Sequence, residues 1–154
     1  SENTPFNTAE IDSVLSMTPG KFNDLLKRLQ AIRGFTKLSE AAQLAAANKR
    51  ISNILKKIEG ALPEHVQPPL LCLPAEANLY QALEALSPKL KQQLEDQEFM
   101  GLLQSLVALS QPIDQFFADV MVMDEDLQLR QNRIALLHQL HQKMNLVADI
   151  GKLA

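Results

Sequence analysis

The sequence predicts an all-α protein, an antiparallel helical bundle of about six to seven helices. Three observations support this. Leu and Ala dominate, while Gly is scarce, with 5 in 154 residues, and Trp is absent. That composition suits helices packed on helices. Apolar residues recur at helical spacing along most of the chain, and no stretch alternates as a strand would. At 154 residues the chain fits one domain with a buried core.

A short helix is expected from Thr8 to Met17, capped by Asn7 or Thr8, with Ile11, Val14 and Leu15 facing inward. Thr18-Pro19 starts a second helix, since Pro is tolerated in a first turn. Its apolar stripe is Phe22, Leu25, Leu26, Leu29 and Ile32, and Gly34 is a natural C-cap. Ser39 with Glu40 is expected to cap a third helix that ends at Gly60. Four prolines between Leu62 and Pro74 forbid regular helix there. The reading is one domain over residues 1–154, with a basic N-terminal lobe (8–60), a Pro-rich connector (61–74) and a C-terminal helical lobe (75–154). Helix resumes near Ala75 with Leu79, Leu83, Leu86, Leu90 and Leu94, and Pro88 should kink or split it. A further helix covers Glu98–Leu109, and Pro112 opens another through Phe116, Phe117 and Val120. Phe116, Phe117 and Met121–Met123 are read as core. Asp124 or Asp126 caps the last long helix, which runs to about Val147 with Leu127, Ile134, Leu137, Met144 and Val147 on its stripe.

The stretch Ala45–Lys57 organises the rest. It has no Gly or Pro. At about 100° per residue, Leu44, Ala47, Ile51, Ile54, Leu55 and Ile58 share one stripe. Lys49, Asn53 and Lys56 fall opposite it, Arg50 and Lys57 lie on one flank, and Asn48 and Ser52 border the other. The net charge of −3 conceals a division. Lys21 to Lys57 contains nine Lys or Arg (among them Arg28 and Arg33) and two acids, about +7, whereas the remainder carries about −10. A segregated positive segment is the electrostatic footprint of a polyanion partner.

Other chemistries are not supported. The glycines are scattered at helix ends, so there is no phosphate loop. His138 and His141 are three residues apart on a helix, but nothing completes a metal site, and they read as a partly buried pair. No motif brings a nucleophile to a base. Asp124-Glu125-Asp126 reads as a helix start. The single Cys72 excludes an internal disulfide framework and fits a reducing cytoplasm. No apolar run approaches a membrane span, and no signal pattern opens the chain. Its start on Ser1, without an initiator Met, reads as an excised piece of something larger.

Phe35, Leu38 and Ala45-Ala46-Ala47-Asn48-Lys49-Arg50-Ile51-Ser52-Asn53-Ile54-Leu55 resemble the C-terminal region of the bacterial glycyl-tRNA synthetase beta subunit. A second block, Ile113 to Met123, is similar to the same family. So are Leu129-Arg130-Gln131-Asn132-Arg133-Ile134-Ala135-Leu136-Leu137 and Val147-Ala148-Asp149-Ile150. The blocks keep the family's order. The resemblance implies an all-helical anticodon-binding domain of the kind named for an Asp-Ala-Leu-Arg (DALR) motif. Here that motif is loose, since Asp126-Leu127-Gln128-Leu129-Arg130 has an extra residue and no Ala.

The resemblance further implies a class II aminoacyl-tRNA synthetase of two alpha and two beta subunits. ATP, Mg and glycine would be held by the alpha subunit, so this domain would be non-catalytic and need no cofactor. The expected partner is the anticodon arm of glycine tRNA, in the cytoplasm, with no membrane and no DNA. Lys49, Arg50, Lys56 and Lys57, with Arg28, Arg33, Arg130 and Arg133, would hold RNA; phosphate contacts give affinity without sequence information. Glycine codons begin with two guanines, so glycine anticodons end in two cytosines. Side-chain amides match cytosine's amino donor and its acceptors. Asn48 and Asn53 are therefore the candidate base readers. The rival reading is a helical interaction module whose basic segment docks an acidic protein.

Overall fold

The computed structural model describes residues 4–17 and 22–154. The expected helix start at Thr18-Pro19, the Lys21 cation and the Phe22 side chain lie outside what it describes. The described residues form seven α-helices and no strand: α1 (Thr8–Leu15), α2 (Phe22–Phe35), α3 (Ala41–Lys56), α4 (Pro74–Glu95), α5 (Phe99–Leu106), α6 (Ser110–Asp119) and α7 (Leu127–Met144). Short 3-10 turns cover Pro68–Leu70, Val107–Leu109 and Ile150–Leu153. None of the described helices is long and apolar enough to cross a membrane.

Local chemistry explains the helix starts. The Asn7 side chain accepts from the Glu10 N–H at 2.8 Å, and the Glu10 carboxylate accepts from the Asn7 N–H at 2.9 Å, a reciprocal box that opens α1. Pro74 occupies the first turn of α4, where its missing N–H costs nothing. Asp126 opens α7, accepting from Gln128 N–H at 2.9 Å and Leu129 N–H at 3.3 Å. Ser39 does not cap α3 as expected. Its hydroxyl donates to the Glu40 carboxylate instead, and Glu40 holds the cap position without a side-chain bond. Pro88 does not split α4, which runs unbroken through it to Glu95. Gly34 is not a C-cap either, because α2 continues through Phe35. A Cβ on Gly34 would lie 2.9 Å from Met100 Sδ, so glycine there lets α5 approach α2. Gly60 does adopt the left-handed backbone, φ +78°, but it does not end α3, which stops at Lys56 with Lys57 as its cap.

One hydrophobic cluster joins all seven helices and the C-terminal turn. Helix α7 lies at its centre: Asn132 to Leu137 are six consecutive buried residues, so the middle of the helix is enclosed on every side. Helix α3, helix α4 and the connector surround it. The connector has almost no regular structure, and α7 supplies its hydrogen-bond partners. Asn132 accepts from Gln67 N–H at 2.6 Å and donates to Gln67 O at 3.2 Å. Gln139 donates to Glu64 O at 2.8 Å, and His138 Nδ1 lies 3.2 Å from Pro63 O. Outside the turn at Pro68–Leu70, which closes on its own backbone, the proline-rich strap is thereby tied down by side chains of α7.

Several expected core residues lie outside. Val14 is buried, but Ile11 and Leu15 are exposed, because α1 is only a thin cover on α2 and the C-terminal turn. Val122 is buried, whereas Met121 and Met123 flank it in the α6–α7 loop with 69% and 50% of their surface exposed. Leu127 is exposed too, at the first turn of α7 before that helix enters the core.

Candidate nucleic-acid interface

Helix α3 buries Ala41, Leu44, Ala45, Asn48, Ile51 and Leu55. Its apolar arc faces α7 and the C-terminal turn Ile150–Leu153. Gln43 donates to the Asp114 carboxylate, and the Arg50 guanidinium stacks 4.1 Å above the Phe117 ring, which fixes α3 against α6. Lys49, Arg50, Asn53, Lys56 and Lys57 remain exposed. Among the described residues, the side chains of Lys49, Asn53, Lys56 and Lys57 have neither hydrogen bond nor ion pair.

Asn48 is corrected by the structure. It is fully buried, and its amide donates to Asn145 Oδ1 at 2.8 Å. The same oxygen accepts from Ile150 N–H at 3.1 Å, so Asn48 helps fasten the C-terminal turn rather than face a ligand. The side of α3 that borders the apolar stripe is covered by that turn. Asn145 completes the lock by donating to His141 Nε2 at 3.1 Å. That bond needs a free lone pair on the imidazole, and burial pushes the His141 pKa below its usual value.

Arg133 is corrected as well. It is 97% buried, and its guanidinium forms an ion pair with the fully buried Glu76 at 3.0 Å. It also donates to Met121 O at 2.7 Å and pairs with Asp124 at 3.3 Å. The Glu76 hydrogen bond, opposed by burial, raises its pKa further above the ordinary value. Arg133 is therefore an interior strut and presents no charge to solvent. Arg130 is half-buried and donates from Nε to Asp124 O at 2.8 Å. The Asp and Arg of the loose motif thus both serve the start of α7.

The arginines of α2 are also engaged within the protein. Arg28 pairs with Asp24 at 3.0 Å, donates to Leu146 O and Val147 O at 2.8 and 2.7 Å, and lies 4.6 Å above the Phe99 ring. Arg33 meets Glu10 at 3.5 Å and covers Phe6 at 4.1 Å. Of the ten residues expected to hold RNA, five remain outward on α3 and its C-cap: Lys49, Arg50, Asn53, Lys56 and Lys57.

The structure adds residues that sequence reasoning missed. A cleft of about 330 Å³ opens between the outer face of α3 and the C-terminal turn, lined by Asp12, Lys49, Ser52, Asn53, Lys56, Asp149 and Lys152. Lys152 extends the lysine face beyond α3. Asp149 is placed by its own backbone, whose N–H donates to Ser13 O at 2.8 Å. Gly151 is the one local signal in the sequence for this approach. A Cβ there would lie 2.8 Å from Asn48 Oδ1 and 3.2 Å from the Lys49 nitrogen, so only glycine lets the turn sit this close to α3.

In class this is an all-helical domain with the arginines of α2 and α7 engaged within the fold and a lysine-rich face, with Arg50, turned outward, the arrangement of a polyanion binder. The chain belongs to the DALR anticodon-binding domain family, whose model matches residues 44–150. It is also similar to proteins named glycine–tRNA ligase beta subunit. The one from Delftia acidovorans is 47% identical over 97% of this chain. Those from Methylobacillus flagellatus and a Janthinobacterium species are each 48% identical over the same share. The chain spans 21% of the length of these relatives.

Proposed function

We propose that this chain is the tRNA-gripping domain of a glycine–tRNA ligase beta subunit, acting as one unit over residues 1–154. It holds the anticodon arm of glycine tRNA in the cytoplasm while an alpha subunit, with ATP and Mg, performs the aminoacylation within an α2β2 assembly. The observation that carries this reading is the face of α3, where Lys49, Lys56 and Lys57 point outward without partners among the described residues, in a domain of the anticodon-binding family. Unpaired lysines on a rigid helix exchange counterions for phosphates, which gives affinity with a steep salt dependence. Arg50, flat on Phe117, offers a rigid guanidinium edge to the same backbone. Asn53, one turn from Lys49 and Lys56, is the outward amide available for a base edge.

The test is binding of the purified chain to transcribed glycine tRNA and to an anticodon-swapped variant at three salt concentrations. A steep salt slope with preference for the glycine anticodon is expected. No RNA binding at low salt would overturn the reading. The chain alone is expected neither to exchange pyrophosphate into ATP with glycine nor to charge tRNA, because the chemistry is assigned to the alpha subunit.

A further inference from the structure

We propose that the cleft between α3 and the C-terminal turn is a slot for a single unstacked cytidine, with the Asp149 carboxylate accepting from the exocyclic amine of the base. This rests on the RNA-binding reading above and names the nucleotide that the face takes.

The make-up of the cleft carries the inference. A surface built only to hold phosphate gains nothing from carboxylates, which repel it. Here Asp149 and Asp12 share a cleft with Lys49, Lys56 and Lys152. Neither acid forms an ion pair with a lysine, since the ion pairs among the described residues are all made by arginines. The acids are left as acceptors in a ring of donors. A ligand that satisfies both must carry a donor beside acceptors, and it must tolerate a cationic rim. Cytosine presents one amine next to two acceptors on its pairing edge. Uracil puts an oxygen where that amine would be, directly against a carboxylate. Lysine ammonium groups and the Asn53 amide supply donors for the two acceptors and for the flanking phosphates.

The backbone that carries the acceptor is also held in place before any ligand arrives. Asp149 is half-buried on a turn fixed at three points: its N–H to Ser13 O at 2.8 Å, the Ile150 N–H to Asn145 Oδ1 at 3.1 Å, and the Lys152 N–H to Asp149 O at 3.1 Å. An acceptor on a fixed backbone loses less entropy on binding than one on a mobile loop.

The experiment uses the full chain and two labelled single-stranded RNA tetranucleotides, all-cytidine and all-uridine, followed by fluorescence anisotropy and by amide NMR shifts. The cytidine probe is expected to bind about tenfold more tightly than the uridine probe, with shifts at Asp149 and Lys152. In Asp149→Asn, which keeps the shape, the amide can present either a donor or an acceptor. The preference should then fall to about twofold or less, with the thermal midpoint unchanged. Equal binding of the two probes to the unsubstituted chain, or no shift at those amides at millimolar probe, overturns the slot. So does a preference that survives in Asp149→Asn, whatever the result in Asp12→Asn. Glycine tRNA is titrated in parallel. Anticodon-dependent tRNA binding that persists in both variants removes the slot and leaves the domain's proposed function standing. A cytidine preference lost in Asp149→Asn, without any tRNA binding, keeps the slot and removes that function.

Discussion

Helices α3 and α7 are built from the same kinds of residue and do opposite things with them. Each carries two or more cations and two asparagines on or beside it. On α7, Arg133 is locked to Glu76, Arg130 to a carbonyl, and Asn132 clasps the connector. On α3, Lys49, Lys56 and Asn53 have no partner among the described residues. Arginine and lysine explain part of the difference. A planar guanidinium can satisfy several buried acceptors at once, whereas an ammonium is strongly hydrated and stays in water. Position explains the rest, because α7 is enclosed and α3 is covered on one side only. A count of positive charge therefore says little about a binding surface until the charges already engaged within the fold are set aside.

The contrast can be broken most severely at its buried end. Glu76→Ala removes the fully buried partner of Arg133, leaving its guanidinium with only Met121 O and the partly exposed Asp124, and should destabilise the domain by about 3–5 kcal/mol. Urea denaturation measures this, and a loss below about 1 kcal/mol would mean that water reaches Arg133. On the inner face of α3, Ile51→Ala removes fully buried methyl groups and should cost about 2–5 kcal/mol. An unchanged thermal midpoint there would show that the helix face is wrongly placed.

The outer face of α3 should behave in the reverse manner. Lys49→Ala is expected to change stability by less than about 0.5 kcal/mol. It should weaken all tRNAs alike and lower the salt slope by roughly one counterion. Asn53→Ala should leave that slope alone and cost about 1–3 kcal/mol for glycine tRNA over an anticodon variant. Binding isotherms of the two variants, run side by side, control each other. Equal weakening of both RNAs by Asn53→Ala would remove Asn53 as a reader. The smallest expected effect is a pH dependence at the foot of α7. Burial lowers the pKa of His141 in the folded protein. The unfolded chain, with histidine near 6.5, then binds the proton more readily. Stability from this group is present above that value and is lost as pH falls toward the folded pKa. His141→Gln should flatten the fall in thermal midpoint between about pH 7 and pH 5.

Much of this was legible in the sequence, for physical reasons. Helices are local, so apolar spacing located all seven, and caps such as Asn7 and Asp126 act over three residues. The lysine face of α3 was legible because Lys49, Asn53 and Lys56 lie opposite Ile51 and Leu55 on the same helix. What sequence alone did not supply was set by distant neighbours. Asn48 is buried by a turn near residue 150, and Arg133 by Glu76, 57 positions away. No periodicity reports such pairings. Asp149 and Lys152 enter the candidate site only through the fold, by way of a glycine whose importance is steric. Met121 and Met123 failed as core because a loop, unlike a helix, has no fixed face.

The hydrogen bond from Asp149 to Ser13 has a consequence for the chain as an object. It closes the row of helices into a ring, with α1 and the C-terminal turn gripping each other. In a ring, no single link carries the connection between halves. A protease cut in the exposed stretch around Glu64 and His65 would leave the two pieces joined through α1 and the turn, through α2 and α5, and through α3 and α7. Nicked protein should therefore elute from a sizing column as one particle and fall apart only in denaturant. The same closure pairs residues far apart along the chain, the kind of contact that slows folding.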